Sequence, residues 1–295
     1  MCGIVGLFAK DRGIEAELGA HLAGMLASMS ERGPDSAGFA IYAPGTPGAV
    51  KLTLRPPPGT DAEALLAGLG IPDSFITVRG SHAVLSVPQV QYDDARQALA
   101  TLSPQTVVVG SGSAMELYKE VGAPAAVAQG FGLAGMQGTH GIGHTRMATE
   151  SAVTTDGAHP FSTGQDQCLV HNGSLSNHNA LRRELRRQGY GFATENDTEV
   201  AAVYLSARLR EGHGLGDALR LSLRDLDGFY TFVVGTGSGF GVLRDPIACK
   251  PAVMAETERF VAFGTEYRAL ANLPGIAAAR VWEPEPATPY FWSRA

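Results

Sequence analysis

The sequence begins Met1-Cys2-Gly3-Ile4-Val5-Gly6-Leu7-Phe8, and this stretch sets the expectation for the fold. Ile4 to Phe8 is a short apolar run bordered by glycines, which is typical of a buried strand. A cysteine directly after the initiator methionine has a small side chain, so we expect an aminopeptidase to remove Met1. Cys2 would then carry both a thiol and a free α-amine that can accept the thiol proton. One residue can thus supply a nucleophile and its base.

The rest of the chain combines helical and strand periodicities. Helices are predicted at Glu15–Met29, Asp61–Leu69, Ala114–Val121, Asn177–Arg187, Thr198–Arg210 and Asp217–Leu226. Strands are predicted at Ile4–Phe8, Phe39–Tyr42, Phe75–Val87, Thr106–Val109, Gly141–Arg146, Cys168–His171, Tyr230–Val234, Gly241–Leu243, Ala252–Ala255 and Phe260–Phe263. Strands followed by helices and then by strands favour a layered α+β sandwich over a doubly wound parallel sheet.

The middle of the chain differs from its two ends. Residues 44–60 are rich in proline and glycine and predict a loop. Residues 44–137 carry elements of their own, so we interpret them as an inserted α/β segment within a single domain spanning residues 1–295. Asn177 and Asp197 are predicted to cap the helices that begin beside them.

Composition excludes several classes of function. The net charge is -6 and no basic run is present, which disfavours binding to nucleic acid or to an anionic membrane. No apolar stretch approaches the roughly 20 residues that span a bilayer, and the N-terminus lacks the features of a signal peptide. The three cysteines, Cys2, Cys168 and Cys249, form no CxxC pair and predict neither a disulfide framework nor a zinc–thiolate site. We expect a cytoplasmic protein.

Six ordered motifs give the chain a family resemblance. They are Met1-Cys2-Gly3-Ile4-Val5-Gly6, Arg32-Gly33-Pro34-Asp35-Ser36-Ala37-Gly38, Gly143-His144-Thr145-Arg146-Met147-Ala148-Thr149, His171-Asn172-Gly173-Ser174, Asn196-Asp197-Thr198-Glu199, and Arg244-Asp245-Pro246 with Lys250-Pro251. Together they resemble the class II glutamine amidotransferases, the N-terminal-cysteine branch of the Ntn hydrolases. The resemblance covers nearly the whole chain outside residues 44–137. It implies a four-layer αββα sandwich and an amidotransferase enzyme.

The resemblance also implies a role for each motif residue. Cys2 would be the nucleophile, while the side-chain amide of Asn172 and the backbone N–H of Gly173 would stabilise the oxyanion. Arg146 would bind the α-carboxylate of glutamine and Asp197 its ammonium group, with help from the hydroxyl of Thr149. Other roles remain open from the residues alone. Asn-Gly is also a common hairpin turn, an arginine can form a surface ion pair, and an aspartate can simply cap a helix.

The remaining motif residues are given supporting roles. Arg32 and Asp35 would support the nucleophile end of the site, and the segment around Arg244 would be architectural. No metal is expected, because the spacings of His144, His159 and His171 match no helical ligand pair. His144 is interpreted as a core or hydrogen-bonded histidine.

The sequence departs from the family pattern beside the pocket arginine. Many members have an aromatic residue after that arginine and His-Gly after the threonine, whereas this chain has Met147 and Glu150-Ser151. We therefore expect altered closure of the substrate pocket and weak activity without a partner.

A finer resemblance concerns the acceptor of the amide nitrogen. The length of the chain, which leaves no room for an acceptor domain, and residues 115–122 are similar to separately encoded amidotransferase subunits of the glutamate synthase type. The subunit of N-methylglutamate synthase, an enzyme of methylamine metabolism, is the nearest of these. The resemblance implies glutamine and glutamate as ligands and glutamate-synthase-like partner subunits in a multisubunit complex. It places no cofactor in this chain and allows flavin and iron–sulfur groups on the partners.

Three alternatives remain at this point. The chain could supply a different acceptor, such as glutamate synthase itself. It could be a non-catalytic regulatory subunit that binds glutamine or glutamate, as retention of Met1 would favour. It could also be a different Ntn amidase, although paired Arg146 and Asp197 suit the charged end of a free amino acid.

Overall fold

A computed structural model describes residues 2–148 and 152–294. The strands are β1 (Gly3–Ala9), β2 (Ser36–Tyr42), β3 (Ala49–Arg55), β4 (Phe75–Arg79), β5 (His82–Pro88), β6 (Val107–Gly112), β7 (Met115–Val121), β8 (His140–Arg146), β9 (Phe161–Gly164), β10 (Gln167–Leu175), β11 (Gly228–Thr236), β12 (Gly239–Arg244), β13 (Val253–Glu256), β14 (Phe260–Gly264), β15 (Arg280–Trp282) and β16 (Tyr290–Ser293). The α-helices are α1 (Arg12–Ser28), α2 (Ala62–Leu69), α3 (Tyr92–Leu102), α4 (Pro124–Gly130), α5 (His178–Arg187), α6 (Asp197–Arg210) and α7 (Leu215–Asp225).

Two antiparallel sheets form the centre of the molecule. One sheet has seven strands in the order β15-β13-β14-β1-β8-β2-β7, and the other has five in the order β16-β12-β11-β10-β9. Helix α1 packs on the outer face of the first sheet, and α5, α6 and α7 pack on the outer face of the second. A third apolar cluster fills the space between the sheets. These four layers confirm the predicted α+β sandwich of αββα type.

Strand β1 shows why the first residues read as an uninterrupted apolar run. Ile4 and Phe8 point into the cluster between the two sheets, whereas Val5 and Leu7 point toward α1. A strand covered on both faces needs apolar side chains at every position, so alternation disappears from its sequence. Each fully buried side chain of this size contributes about 1.5–3 kcal/mol relative to an exposed one. The first seven residues after Cys2 are therefore fixed in the middle of the sandwich.

The inserted segment is shorter than the sequence predicted. A four-stranded sheet in the order β4-β5-β3-β6, with α2 and α3, has its own apolar core, and it lies within residues 49–112. The loop predicted at 44–60 is partly wrong, because β3 occupies 49–55. The helix predicted at 114–121 is also wrong: these residues form β7, which pairs along the whole of β2 in the seven-stranded sheet.

The helix at 114–121 was predicted wrongly because one apolar pattern fits two periodicities. Met115 and Leu117 lie in the cluster between the sheets, while Tyr118 lies in the cluster under α1. This is the alternation of a strand covered on both faces, and in so short a segment it resembles a helical pattern. Within the described residues, no helix has the length and apolar character needed to cross a membrane.

Three buried histidines lie on β5 and β8. His82, His140 and His144 are each no more than 1% exposed. Burial lowers the pKa of His82 and His140 to about 4 and the pKa of His144 to about 3, from an ordinary value of 6.5. All three are therefore neutral in the folded protein near pH 7.

We predict that the free energy of unfolding falls as the pH is lowered from about 7 to about 5. In this window the unfolded chain binds protons on these histidines and the folded protein does not, so protons favour unfolding. Each histidine contributes a loss of about 2 kcal/mol, which urea unfolding at the two pH values measures. The His140→Gln variant should lose less stability over this window than the wild type. The exposed His213→Gln control should match the wild type, and an unchanged pH dependence in His140→Gln would contradict the prediction.

Candidate active site

A cavity of about 690 Å³ opens where the two sheets meet the N-terminus of α6. The predicted site residues that line it are Cys2, Arg32, Arg146, Asn172, Gly173 and Asp197. Thr149 lies outside the described residues, and Asp35 lies beside the cavity rather than in its lining. Residues that are more than 190 positions apart in the chain thus share one pocket.

Cys2 precedes β1 and is partly accessible from the cavity. Its Sγ lies 3.8 Å from the carbonyl oxygen of Met147. Its own carbonyl oxygen accepts hydrogen bonds from Arg32 Nε at 3.0 Å and from Asn172 Nδ2 at 3.3 Å. Gly3 follows in a space that excludes a side chain, since a Cβ there would lie 2.8 Å from Met29 Cβ. The main chain of Cys2 is therefore held firmly while its thiol faces the pocket.

Asn172 lies on β10 and is fixed by a buried histidine. His144 Nε2 contacts two acceptors, the carbonyl oxygen of His171 at 3.1 Å and Asn172 Oδ1 at 3.3 Å. Two acceptors place the proton of this neutral imidazole on Nε2. The oxygen of the Asn172 amide therefore faces His144, and its NH2 faces Cys2 O and Thr265 Oγ1, both at 3.3 Å. The donor group of Asn172 points toward the nucleophile.

Gly173 occupies a backbone conformation that side chains rarely adopt. Its φ is +142°, and a Cβ there would lie 1.9 Å from the carbonyl oxygen of Phe229 on β11. Only glycine fits this position. The Asn172-Gly173 pair is not the hairpin turn that its sequence also suggested, because it lies inside β10.

Arg146 is the last residue of β8, and its side chain is buried against the cavity. Its Nη1 donates to the carbonyl oxygen of Ala152 at 3.4 Å. The residue is only 6% exposed and lies in the lining of the cavity rather than on the open surface. A buried guanidinium in a pocket is suited to bind a carboxylate.

Asp197 is the first residue of α6, and the predicted cap assignment is wrong by one position. Asn196 is the cap, with its Oδ1 accepting from Thr198 N at 2.8 Å. Asp197 Oδ2 accepts from Leu175 N at 2.9 Å, which anchors one carboxylate oxygen to β10. Its Oδ1 lies 3.8 Å from His171 Nδ1 at the cavity wall. Asn177 is the N-cap of α5, as predicted, although its side chain bonds to residues 225 and 227 rather than to the helix.

Arg32 and Asp35 contact the site through the main chain. Arg32 forms an ion pair with Glu266 in addition to its bond to Cys2 O. Asp35 Oδ2 accepts from Ala148 N at 2.8 Å, and Asp35 N donates to Arg146 O at 3.1 Å. The two residues therefore brace the start of β1 and the end of β8.

Thr198 and Thr265 join residues that the sequence did not connect. Thr198 Oγ1 lies 2.8 Å from His159 Nε2 and 3.0 Å from His171 Nδ1. Burial lowers the pKa of His171 and outweighs the opposing charge of Asp197. Thr265 Oγ1 accepts from Ile4 N at 2.8 Å. Thr198 belongs to a quoted motif and could have been singled out, whereas nothing in the sequence marks Thr265.

The segment 244–251 forms another wall of the pocket. The buried guanidinium of Arg244 donates to the carbonyl oxygens of Ala248 at 2.6 Å, Lys250 at 2.9 Å and Pro284 at 3.0 Å. Lys250 and Pro251 line the cavity, with Lys250 Nζ 5.0 Å from the centre of the Phe229 ring. The segment is thus held by one arginine and adds a cation to the pocket.

The histidines near the pocket form hydrogen bonds and a ring stack. His144 and His159 stack with ring centres 4.0 Å apart. Across residues 2–148 and 152–294, no group of three or more histidine, cysteine, aspartate or glutamate side chains is arranged to hold a metal ion.

The chain is similar to known amidotransferases in sequence and in fold. A family described as a glutamine amidotransferase domain matches residues 144–272. The glutamine amidotransferase-like protein GlxB of Rhizobium meliloti is 60% identical over 99% of this chain and 98% of its own length. A putative glutamine amidotransferase of Methanothermobacter thermautotrophicus is 34% identical over 90% of this chain and 92% of its own length.

Solved structures support the fold. The glutamine phosphoribosylpyrophosphate amidotransferase of B. subtilis superposes with a TM-score of 0.64 at 21% identity. The match covers 99% of this chain, which spans only 47% of that protein. At this identity the likeness concerns the fold alone. The two relatives described above show that the chain belongs to the class II glutamine amidotransferases.

Proposed function

We propose that the chain hydrolyses the side-chain amide of glutamine through a thioester on Cys2. The observation that carries the proposal is one cavity that brings together a thiol, an oriented amide donor, a buried guanidinium and a carboxylate. The thiol is that of Cys2, the donor is Asn172 Nδ2, and the charged pair is Arg146 and Asp197. Hydrogen bonds within the protein orient Arg146, Asn172 and Asp197.

The first chemical step is attack of Cys2 Sγ on the glutamine Cδ. Removal of Met1 exposes the α-amine of Cys2, which takes the thiol proton and passes it to the departing ammonia. The negative charge that forms on the amide oxygen is stabilised by the NH2 of Asn172 and the N–H of Gly173. Ammonia leaves, and water then cleaves the γ-glutamyl thioester to release glutamate and regenerate the thiol.

The charged end of the substrate is held by Arg146 and Asp197, which line the same cavity as Cys2. The guanidinium of Arg146 suits the α-carboxylate, and the Oδ1 of Asp197 suits the α-ammonium group. Thr149 completes this contact in the proposal. Since both ends of a free amino acid are bound, the proposed substrate is glutamine itself rather than a γ-glutamyl or other amide.

The ammonia, or the glutamyl group, passes in this proposal to a separately encoded glutamate-synthase-like partner. N-methylglutamate synthase is the proposed complex, with any flavin or iron–sulfur group on the partner subunits. The support for this partner is the resemblance of residues 115–122 to separately encoded amidotransferase subunits of the glutamate synthase type.

We predict a single covalent adduct on Cys2 when the purified protein reacts with the glutamine analogue 6-diazo-5-oxo-norleucine. The intact mass should also show that Met1 has been removed, because the mechanism requires the α-amine of Cys2. The Cys2→Ser variant should form no adduct. Cys249 is an exposed free thiol, so the Cys249→Ser variant is the matched control and should form the adduct at the wild-type rate. Retained Met1 without an adduct, even with the partner present, would point to a non-catalytic subunit.

We predict that the Asp197→Asn variant binds glutamine roughly 30-fold more weakly, as expected when a charged hydrogen bond worth about 2 kcal/mol is lost. An asparagine oxygen can still accept from Leu175 N, so the fold should be retained. The measurement is the glutamine concentration that half-protects Cys2 from alkylation by iodoacetamide. Asp217→Asn, an exposed acid in the first turn of α7, is the control and should match the wild type. Equal protection in both variants would remove Asp197 from the substrate site.

A further inference from the structure

Residues 152–158, here called the pocket-wall loop, form one side of the cavity. Ala152, Thr154 and Gly157 line the pocket. Arg146 Nη1 donates to Ala152 O at 3.4 Å, and a Cβ at Gly157 would lie 3.4 Å from the same nitrogen. The loop is therefore in direct contact with the guanidinium that we assign to the substrate carboxylate.

A buried lysine of β7 holds the loop from behind. Lys119 is 6% exposed, and its Nζ donates to Asp156 O at 3.0 Å and to Ala158 O at 2.9 Å. The same ammonium lies 4.6 Å from the centre of the Phe161 ring. Burial lowers the pKa of Lys119 to about 8, so it is charged at neutral pH. A charged donor shared by two carbonyl groups ties the loop to the edge of the seven-stranded sheet.

The inserted sheet also reaches the loop. Arg55, the last residue of β3, forms an ion pair with the side chain of Asp156. The pair is partly exposed, with side chains 26% and 51% accessible. It joins a residue of the insertion to the same segment that Lys119 holds through its carbonyl groups.

A second link runs through a shared glutamate. Ser81, in the turn between β4 and β5, donates to Glu120 Oε2 at 2.7 Å. Thr155 Oγ1 of the pocket-wall loop donates to the other carboxylate oxygen of Glu120. The carboxylate is thus a bridge between the insertion and the loop.

We infer that the insertion, through Arg55, and strand β7 of the main sheet, through Lys119, together position the pocket-wall loop and with it Arg146, so that Arg55 and Lys119 are positioning residues that set the affinity for glutamine. The inference rests on the proposed function, because it assigns Arg146 to the substrate carboxylate. Neither residue touches the reacting atoms, so they act on binding and leave the reactivity of Cys2 unchanged.

The test measures two properties of Cys2 in each variant. One is the concentration of 6-diazo-5-oxo-norleucine that gives half-maximal labelling, which reports the affinity of the pocket for the analogue. The other is the rate of alkylation by iodoacetamide, which does not bind in the glutamine pocket and so reports the reactivity of the Cys2 thiol. Arg55→Met should raise the half-saturating concentration by roughly 3-fold, as expected for a partly exposed ion pair. Lys119→Met should raise it by roughly 10-fold, with the iodoacetamide rate unchanged in both.

Two further variants separate positioning from a general loss of structure. Arg96→Met removes an exposed arginine of α3 in the same insertion and should match the wild type. Arg55→Asp should weaken labelling, and adding Asp156→Arg should restore it because the pair is re-formed with exchanged charges. If the Lys119→Met variant does not fold, the inference is tested by Arg55→Met, by Arg55→Asp and by the exchanged pair of Arg55→Asp with Asp156→Arg.

The outcomes distinguish the two claims. Wild-type protein that the glutamine analogue does not label would overturn the proposed function and this inference together. A labelled wild type with unchanged half-saturation in Arg55→Met and Arg55→Asp would overturn only the inference. Weaker labelling in Arg55→Asp that the exchanged pair does not reverse would also overturn it.

Discussion

The hydrogen bond from Asn172 Nδ2 to the carbonyl oxygen of Cys2 joins the two sheets at the point where the nucleophile begins. Asn172 belongs to β10 of the five-stranded sheet, and Cys2 leads into β1 of the seven-stranded sheet. Both sheets must pack face to face for these atoms to meet at 3.3 Å. The cluster between the sheets therefore does more than stabilise the fold, because it also sets the distance between the main chain of Cys2 and the side-chain amide of Asn172.

The orientation of that amide depends on a histidine that stays neutral. A protonated His144 would donate from both ring nitrogens, and its buried Nδ1 has no hydrogen-bond partner within the described residues. Burial keeps the pKa of His144 near 3, so a single proton on Nε2 directs the oxygen of Asn172 away from Cys2. The same desolvation that makes this histidine costly to protonate thus fixes the donor of the site.

Much of the fold and of the pocket could be predicted from the sequence, and the failures have physical causes. Motif residues such as Cys2, Arg146 and Asn172 lie along one cavity because ordered motifs report backbone positions that the family fold brings together. The helix predicted at 114–121 was wrong because, in so short a segment, the apolar positions of a strand also fit a helical pattern. Thr265 could not be found, because its contacts lie more than 90 residues away along the chain and leave no local pattern.

The boundaries of the insertion and its contacts with the pocket were also not predictable from the sequence. The insertion was predicted because residues 44–137 carry helices and strands but none of the motifs. Its predicted boundaries were too wide, because β7 belongs to the seven-stranded sheet and the separate four-stranded sheet lies within residues 49–112. Its contacts with the pocket-wall loop are side-chain contacts such as that of Arg55 with Asp156, separated by about a hundred residues. Spacing and composition carry no information about such pairs.

The proposed mechanism requires that Cys2 forms a γ-glutamyl thioester when the side-chain amide bond of glutamine is broken. The most direct test is rapid acid quenching of the protein mixed with glutamine, followed by mass spectrometry of the N-terminal peptide. The account predicts a γ-glutamyl group on Cys2 that forms before free glutamate appears and decays as glutamate is released. Release of glutamate without any acylated Cys2, or a glutamyl group found on Cys249 instead, would contradict it.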